Sequence, residues 1–355
     1  MQSNGEIWGG ALPDDVVVEI LSRLPPKPFF RSKCVSKTWL ALSSPASRLN
    51  KHLQPTLRGF FWETRFQSGF TNISGGIDEV DATLSALPYH AVHDRCQIMD
   101  CCNGLLLVKC WFGCPTIEHM YVYNPATRKH IFIELLPPLS PKETFYGENF
   151  SLAFQPQDQS QFHVVCFRHS HNQNVCSNIF FTFSSNSGKW RQGENLECDL
   201  HVAYTPKPIF LDGKLHLRTE AHKVVSVDPK NNTSVVTNFD FLGLATDDIS
   251  EIGQSQGLLH FMSLNEFHMM SIWVPETIHP QNWILKHQLS LDGMLFVSPW
   301  YWNLTLHPEK DALFVHLGNG RILSIELQTA KSNDICVFSD RLCSTFWLYM
   351  PCFLV

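Results

Sequence analysis

No run of 18 consecutive apolar residues occurs anywhere in the 355 residues, so no helical membrane span is expected. The opening MQSNGEIWGG has neither the basic start nor the apolar middle of a secretory signal. Without that route the reading is a protein of the cytoplasm or nucleus whose 12 cysteines are free thiols. Asn72-Ile73-Ser74 and Asn303-Leu304-Thr305 are then chance matches to the glycosylation pattern. Also missing are G-x-x-x-x-G-K-[ST], G-x-S-x-G, H-E-x-x-H and G-x-G-x-x-G. Phosphate-cradling and zincin chemistry lack a foothold, and the chain reads as a non-enzyme with no cofactor. Charge is scarce as well: 17% of residues are charged against 44% hydrophobic, the balance of a globular protein with a large core.

The little charge there is has an uneven spread. The net value is −6, yet residues 12–54 hold seven Lys and Arg against three Asp and Glu. Residues 55–355 hold 20 against 29. A basic segment on an acidic body suits a segment that meets an acidic partner, and argues against nucleic-acid binding by the body.

That basic segment is also the best-patterned stretch. Val17, Ile20, Leu21 and Leu24 fall at i, i+3, i+4 and i+7, one stripe on a helix. Pro13 suits the first turn, and Asp14, Asp15 and Glu19 suit the positive end of the helix dipole. Pro25 and Pro26 end it, and Pro28 can open a second short helix. Ser36 can cap a third, carrying Trp39 and Leu42. Three short helices cannot cover Val16, Val17, Val18, Ile20, Leu21, Leu24, Phe29, Phe30, Val35, Trp39 and Leu42 at once. The surplus implies a docking partner.

Leu12-Pro13, Ile20-Leu21, Leu24-Pro25, Arg31, Cys34-Val35, Lys37 and Trp39, in this order and spacing, resemble an F-box, the plant type ending in C-V-S-K-x-W. The resemblance implies docking to a Skp-type adaptor and, through it, to the cullin of a ubiquitin ligase. It assigns adaptor docking and head packing to Leu12, Pro13, Ile20, Leu21, Leu24, Pro25, Val35 and Trp39. The chain departs from the pattern at Pro26 and Pro28, at Ser32 where an aromatic is common, and at Leu40 where a basic residue is common.

Past residue 55 the helical period fades and short β-type runs begin, in a chain rich in Phe (26) and Trp (10). Tight-turn signals sit at Asn103-Gly104, Asp212-Gly213, Gly257 and Asn319-Gly320. Proline turns sit at Pro125, Pro229 and Pro275, and polar turns follow Pro156 and Pro308. Together they outline four-strand units near 96–134, 150–191, 208–238, 248–287 and 301–337, spaced like the blades of a propeller. Strand-like pieces at 57–66 and 345–355 can close the ring as a sixth blade. A sandwich of two packed sheets is the alternative. The N-G-L-L, Y-N-P-x-T-x-x and L-D-G-K-L-H segments resemble the F-box-associated domain of plant F-box proteins. The expected layout is therefore α plus all-β: a disordered leader at 1–11, a three-helix F-box at 12–55, and a β-propeller-like domain at 56–355.

Three groups of residues are candidates for chemistry or binding. Cys96, Cys101, Cys102, Cys110, Cys114 and His119 invite a zinc reading, but adjacent strand residues such as Cys101 and Cys102 point to opposite faces. Buried free thiols without metal are expected instead. His169, His171, His201, His268 and His279 are scattered over expected loops and select no Cys–His pair, and His90, His93 and Asp94 read as a solvated loop. The aromatic pairs Trp111-Phe112, Phe145-Tyr146 and Trp300-Tyr301 lie at or beside loops, either packed between blades or anchoring a target. Three functions follow. The first is a receptor that docks to the adaptor and holds a protein target for ubiquitination. The second is a propeller enzyme or glycan-binding module with a vestigial F-box, requiring carboxylates or histidines in the ring's channel. The third is an adaptor-binding protein acting outside a ligase.

Overall fold

The computed structural model describes residues 12–24, 26–43, 56–64, 68–75, 80–88, 95–113, 117–136, 145–156, 161–172, 175–196, 207–219, 223–238, 249–276, 282–292, 303–317, 320–337 and 343–353. The expected leader at 1–11 and the expected head boundary at 55 lie outside them.

The head is three helices, α1 (Asp14–Arg23), α2 (Pro26–Ser32) and α3 (Lys37–Leu42). Pro13 precedes the first, Asp14 and Asp15 sit at its positive end, and Arg23 pairs with Glu19 one turn back. Ser36 caps α3, its Oγ accepting the Trp39 N–H at 3.1 Å. Val17, Leu21 and Phe29 fill the centre, with Val18, Leu24, Phe30, Trp39 and Leu42 packed around them.

The remainder is a six-bladed β-propeller. Blade 2 is Arg95–Cys102, Leu105–Phe112, Ile117–Asn124 and Lys129–Ile133. Blade 3 is Phe145–Phe154, Phe162–Asn172, Val175–Ser184 and Lys189–Leu196. Blade 4 is Ile209–Leu211, Lys214–Arg218, Lys223–Asp228 and Thr233–Asn238. Blade 5 is Ile249–Ser255, Leu258–Leu264, Met269–Pro275 and Trp283–Ser290. Blade 6 is Asn303–Leu306, Ala312–His316, Arg321–Glu326 and Ser332–Val337. Within each, consecutive strands pair antiparallel, and the first strands of neighbouring blades meet around the centre.

Blade 1 is built from both ends of the ring. Gly59–Thr64 pairs on one side with Ser68–Asn72 and on the other with Cys343–Tyr349. Arg58 N–H also donates to the Tyr349 carbonyl at 2.9 Å. The first and last strands of the body are therefore neighbours, as the two leftover pieces implied. Blade 1 has three described strands rather than four.

Packing settles ring against sandwich. Every neighbouring pair of blades shares its own apolar cluster. Tyr123 and Phe61 join blades 2 and 1, Phe154 and Leu107 join 3 and 2, and Phe180 and Leu215 join 3 and 4. Val224 and Phe261 join 4 and 5, Ile272 and Leu313 join 5 and 6, and Phe314, Phe60 and Phe346 join 6 to 1. A two-sheet sandwich has one such layer; a closed ring has one per gap.

The tight turns arise where the sequence signals them. Asn103-Gly104 (φ 47° and 88°), Asp212-Gly213 (50° and 77°) and Gln256-Gly257 (53° and 75°) join first and second strands. Gly104 is needed twice over, because a Cβ there would lie 2.4 Å from the Met350 carbonyl oxygen. Gly320 (φ 84°) has the same conformation but serves a different connection, between the second and third strands of blade 6. Asn319 lies outside the described residues.

Candidate docking surfaces

The head exposes part of its apolar surplus. Leu12 is 52% exposed, Val35 63% and Leu40 53%. Pro13 is exposed, and Ile20, Leu24 and Trp39 are half-buried. Leu21, grouped with these for adaptor docking, is 1% exposed and belongs to the head's own core. Pro25 lies outside the described residues. Val16 and Leu40 join the exposed apolar surface, although the motif assigned neither to docking.

Among the described residues, the head meets the ring through an aromatic stack. Phe30 of α2 stacks on Phe353, ring centres 5.9 Å apart, and Lys33 Nζ lies 4.7 Å from the Phe30 ring. Burial lowers the Lys33 pKa. Phe353 follows the last strand of the ring, beside the Asn103-Gly104 turn, where Asn124 Nδ2 donates to the Cys352 carbonyl at 2.9 Å. The head therefore sits at the tight-turn end of the ring.

Strand direction then fixes what lies at the opposite end. Leu105–Phe112 finishes there, Phe145–Phe154 starts there, and so does Asn303–Leu306. Trp111 and Phe112 thus lie at the end away from the head, as does the start of the strand that opens with Phe145 and Tyr146. The Phe145 and Tyr146 side chains, and Trp300 and Tyr301 altogether, lie outside what is described. Trp111 and Phe112 point to opposite faces, as neighbours on a strand must. Trp111 Nε1 donates to Glu118 Oε1 at 2.9 Å, with Lys109 Nζ 5.4 Å from its ring. The Lys109 ammonium holds the Glu118 carboxyl below its usual range. Phe112 faces His119 at 5.0 Å, which faces Phe132 at 5.3 Å. Phe132 is 52% exposed and Ile117 on the same face 59%. Sequence reasoning missed Ile117 and Phe132 and considered His119 only as a metal ligand, because their assembly requires knowing that Phe112 pairs with Ile117 and Tyr121 with Phe132.

The centre of the ring is a channel lined by both polar and apolar side chains. A cavity of about 280 Å³ occupies the half away from the head, and one of about 140 Å³ the half towards it. Lys207, Pro208, Ile209, Thr305 and Trp347 line both and form the waist. Asp100 is 4% exposed and accepts the Leu152 and Cys101 N–H groups, each at 2.7 Å. Burial raises its pKa to about 6 against those bonds. Burial raises Glu63 to about 7 and Glu251 to about 8, opposed by the charges of Arg95 and of Arg218 and Lys207 respectively. Burial lowers His316 to about 4, and the Lys207 charge adds to it.

The thiol expectation needs correction. Cys96 and Cys110 form a disulfide across the first two strands of blade 2, Cα atoms 4.1 Å apart. Directly opposed antiparallel residues bring their Cβ atoms this close, a pairing hidden from sequence until the register is known. Cys34, Cys101, Cys102, Cys166, Cys336 and Cys352 form no disulfide. Cys101 packs towards blade 1 and Cys102 towards blade 3. Among the described residues no three His, Cys, Asp or Glu side chains could hold a metal ion. His169 and His171 lie on a strand rather than a loop, and His268 lies on a turn 3.7 Å from Asp292. His90, His93, Asp94, Cys114, His201, Asp247, Asp248 and His279 lie outside the described residues. No described helix is long and apolar enough to cross a membrane.

Comparison with known proteins gives two family matches. Residues 82–332 match the model described as F-box protein At3g26010-like, beta-propeller, and residues 11–48 match the F-box domain. F-box protein At5g07610 of Arabidopsis thaliana is 32% identical over 197 residues, 50% of this chain and 44% of that protein's length. F-box protein At5g49610 of the same organism is 26% identical over 306 residues, 80% of each chain. Among solved structures, the SapL1 lectin in complex with alpha methyl fucoside covers 77% of this chain and 92% of its own, at 8% identity and a TM-score of 0.40. That likeness bears on neither ligand nor function.

Proposed function

Since the chain belongs to the family of F-box proteins with an At3g26010-like β-propeller, we propose that it is the target-recognition subunit of a cullin-based ubiquitin ligase. The head docks to a Skp-type adaptor and the ring holds a protein target, in the cytoplasm or nucleus. The chain itself performs no chemistry. Holding target lysines beside a charged conjugating enzyme raises their effective concentration, and that is its contribution to the transfer.

One observation carries the reading: an F-box head leaves Leu12, Val35 and Leu40 largely exposed while the ring closes over its own core. Exposed apolar side chains on so small a unit gain roughly 1.5–3 kcal/mol each when a partner buries them fully. The target side is the ring end away from the head. Trp111 and Phe112 lie there, and the exposed Ile117 and Phe132 extend the Phe112 face; Phe145, Tyr146, Trp300 and Tyr301 remain aromatic candidates from the sequence.

Affinity purification under proteasome inhibition tests this. Adaptor and cullin should co-purify with the chain, and changing Leu12 and Pro13 together to Ala should remove both. A folded chain that captures neither sinks the reading. The carboxylates Glu63, Asp100 and Glu251 along the channel favour a second reading, an enzyme or glycan-binding ring with a vestigial F-box. Failure to capture adaptor together with binding of a sugar would establish it.

A further inference from the structure

We infer that the channel half away from the head is a socket for one cationic side chain, a lysine or arginine of the captured target, received by the Glu251 carboxylate. This deepens the receptor reading and rests on it.

The socket's size and place come first. At about 280 Å³ it lies just below the usual range of small-molecule pockets, ~300–1,000 Å³, and suits one long side chain. It occupies the end of the channel opposite the head, the end at which the strand carrying Phe112 finishes. A target lying across the Phe112 patch has the socket within the same face. The walls come from inner-strand residues of different blades, Gln97, Asn149, Glu251, Thr305 and Thr345, with Glu63 beside them.

Charge decides the occupant. The ring already shows how it holds a cation: Lys207 Nζ at the waist lies 4.7 Å from the Phe346 ring and 5.1 Å from Trp347, and its charge acts on Asp100. Glu251 has no equivalent. It lines the cavity, yet its carboxylate makes no hydrogen bond or ion pair with any described residue. Arg218 and Lys207 act on it only through their fields. A carboxyl enclosed without a donor resists ionisation, and an arriving ammonium or guanidinium supplies the missing partner. Donor count agrees, since a guanidinium offers five N–H groups to Glu251, Thr305 and Gln97. The body's 29 acidic residues against 20 basic favour the same sign of partner at longer range.

Ionisation of Glu251 on binding releases a proton. The groups that set its extent are Glu63, Asp100, Lys207, Arg95, Arg218 and the buried His316. Whatever their balance, the release must vanish when Glu251 is replaced by Gln.

The test uses the full chain co-expressed with its adaptor. The probes are pools of acetylated, amidated nonapeptides with randomised flanks and one fixed central residue: Arg, Lys, citrulline or norleucine. Arg and Lys pools should be retained at least tenfold better than citrulline and norleucine pools. In Glu251→Gln that preference should disappear. Glu251→Asp, which keeps the charge, should retain part of it, guarding against a fold defect in the first variant. Calorimetry of the best Arg peptide in two buffers should register proton release from the wild type and none from Glu251→Gln. Equal retention of Arg and citrulline pools, an unaffected Glu251→Gln, or no retention of any pool overturns the socket. Loss of the adaptor from the same preparations would instead overturn the receptor reading.

Discussion

Head and ring solve the same burial problem in opposite ways. The head has three fully buried apolar side chains, Val17, Leu21 and Phe29, and leaves Leu12, Val16, Val35 and Leu40 outside. The ring surrounds its centre with an apolar cluster in each gap between blades. Size explains the contrast, since a small unit cannot cover its own surface whereas a closed ring has no first or last gap. The lesson is one of dependence. The ring covers its own core, and the head leaves apolar surface open to a partner.

The largest blow to this contrast falls on the closing seam. Phe60 is 0% exposed, with Phe314 and Phe346 at 5.1 and 5.5 Å. Phe60→Ala should destabilise the ring by about 3–5 kcal/mol, read by denaturant unfolding, because the void cannot collapse across a seam held on both sides. A loss below about 1 kcal/mol would mean the seam does not close the ring.

The second blow falls on the head alone. Leu12→Ala with Pro13→Ala should weaken adaptor binding at least tenfold, about 1.4 kcal/mol, and leave the ring's unfolding unchanged. Parallel loss of both would show that head and ring are one cooperative unit, with the Phe30–Phe353 stack as its joint.

Acidity separates channel from surface. Burial lifts Glu63 to about 7 and Glu251 to about 8, so the folded chain holds these protons more tightly than the unfolded one. The stability they contribute is complete below the ordinary carboxylate range and is lost as pH rises through those two values. Buried His307 and His316, lowered to about 4, act with opposite sign but only below the ordinary histidine range. Between pH 7 and 9, roughly, the melting temperature should therefore fall. Glu251→Gln should flatten that fall, and identical slopes for the two proteins would refute the assignment.

The smallest effect is the cap of α3. Ser36→Ala removes the bond to Trp39 N–H and should cost about 1 kcal/mol of head stability, seen as modestly weaker adaptor binding. An unaltered affinity would place α3 away from the docking surface.

What could be read in advance follows the range of the forces involved. The head was legible because its motif spans 28 residues, Leu12 to Trp39, and every part of it is local. The blades were legible because Asn103-Gly104, Asp212-Gly213 and Pro229 impose turns through their own backbone chemistry. The channel was not, because Glu63, Gln97, Asn149, Lys207, Glu251 and Thr345 meet only when six inner strands are brought round a common axis. The enclosure of Glu251 is likewise a property of the closed ring. The Cys96–Cys110 bond was read as two free thiols because cellular compartment was inferred and strand register was not. Trp111 and Phe112 were grouped as one anchor, and strand alternation divides them between a charged face and an aromatic one.

Pairing of Gly59–Thr64 with Cys343–Tyr349 has a consequence for how the protein is born. During synthesis the strand Gly59–Thr64 leaves the ribosome long before its partner is translated. The head is local and can fold at once, but Phe60 and Phe61 stay uncovered until Cys343–Tyr349 emerges. A nascent chain stalled anywhere before residue 343 therefore carries a finished head on an open ring. It would offer sticky blade faces to chaperones, and a premature stop codon just before residue 343 becomes as damaging as one far upstream.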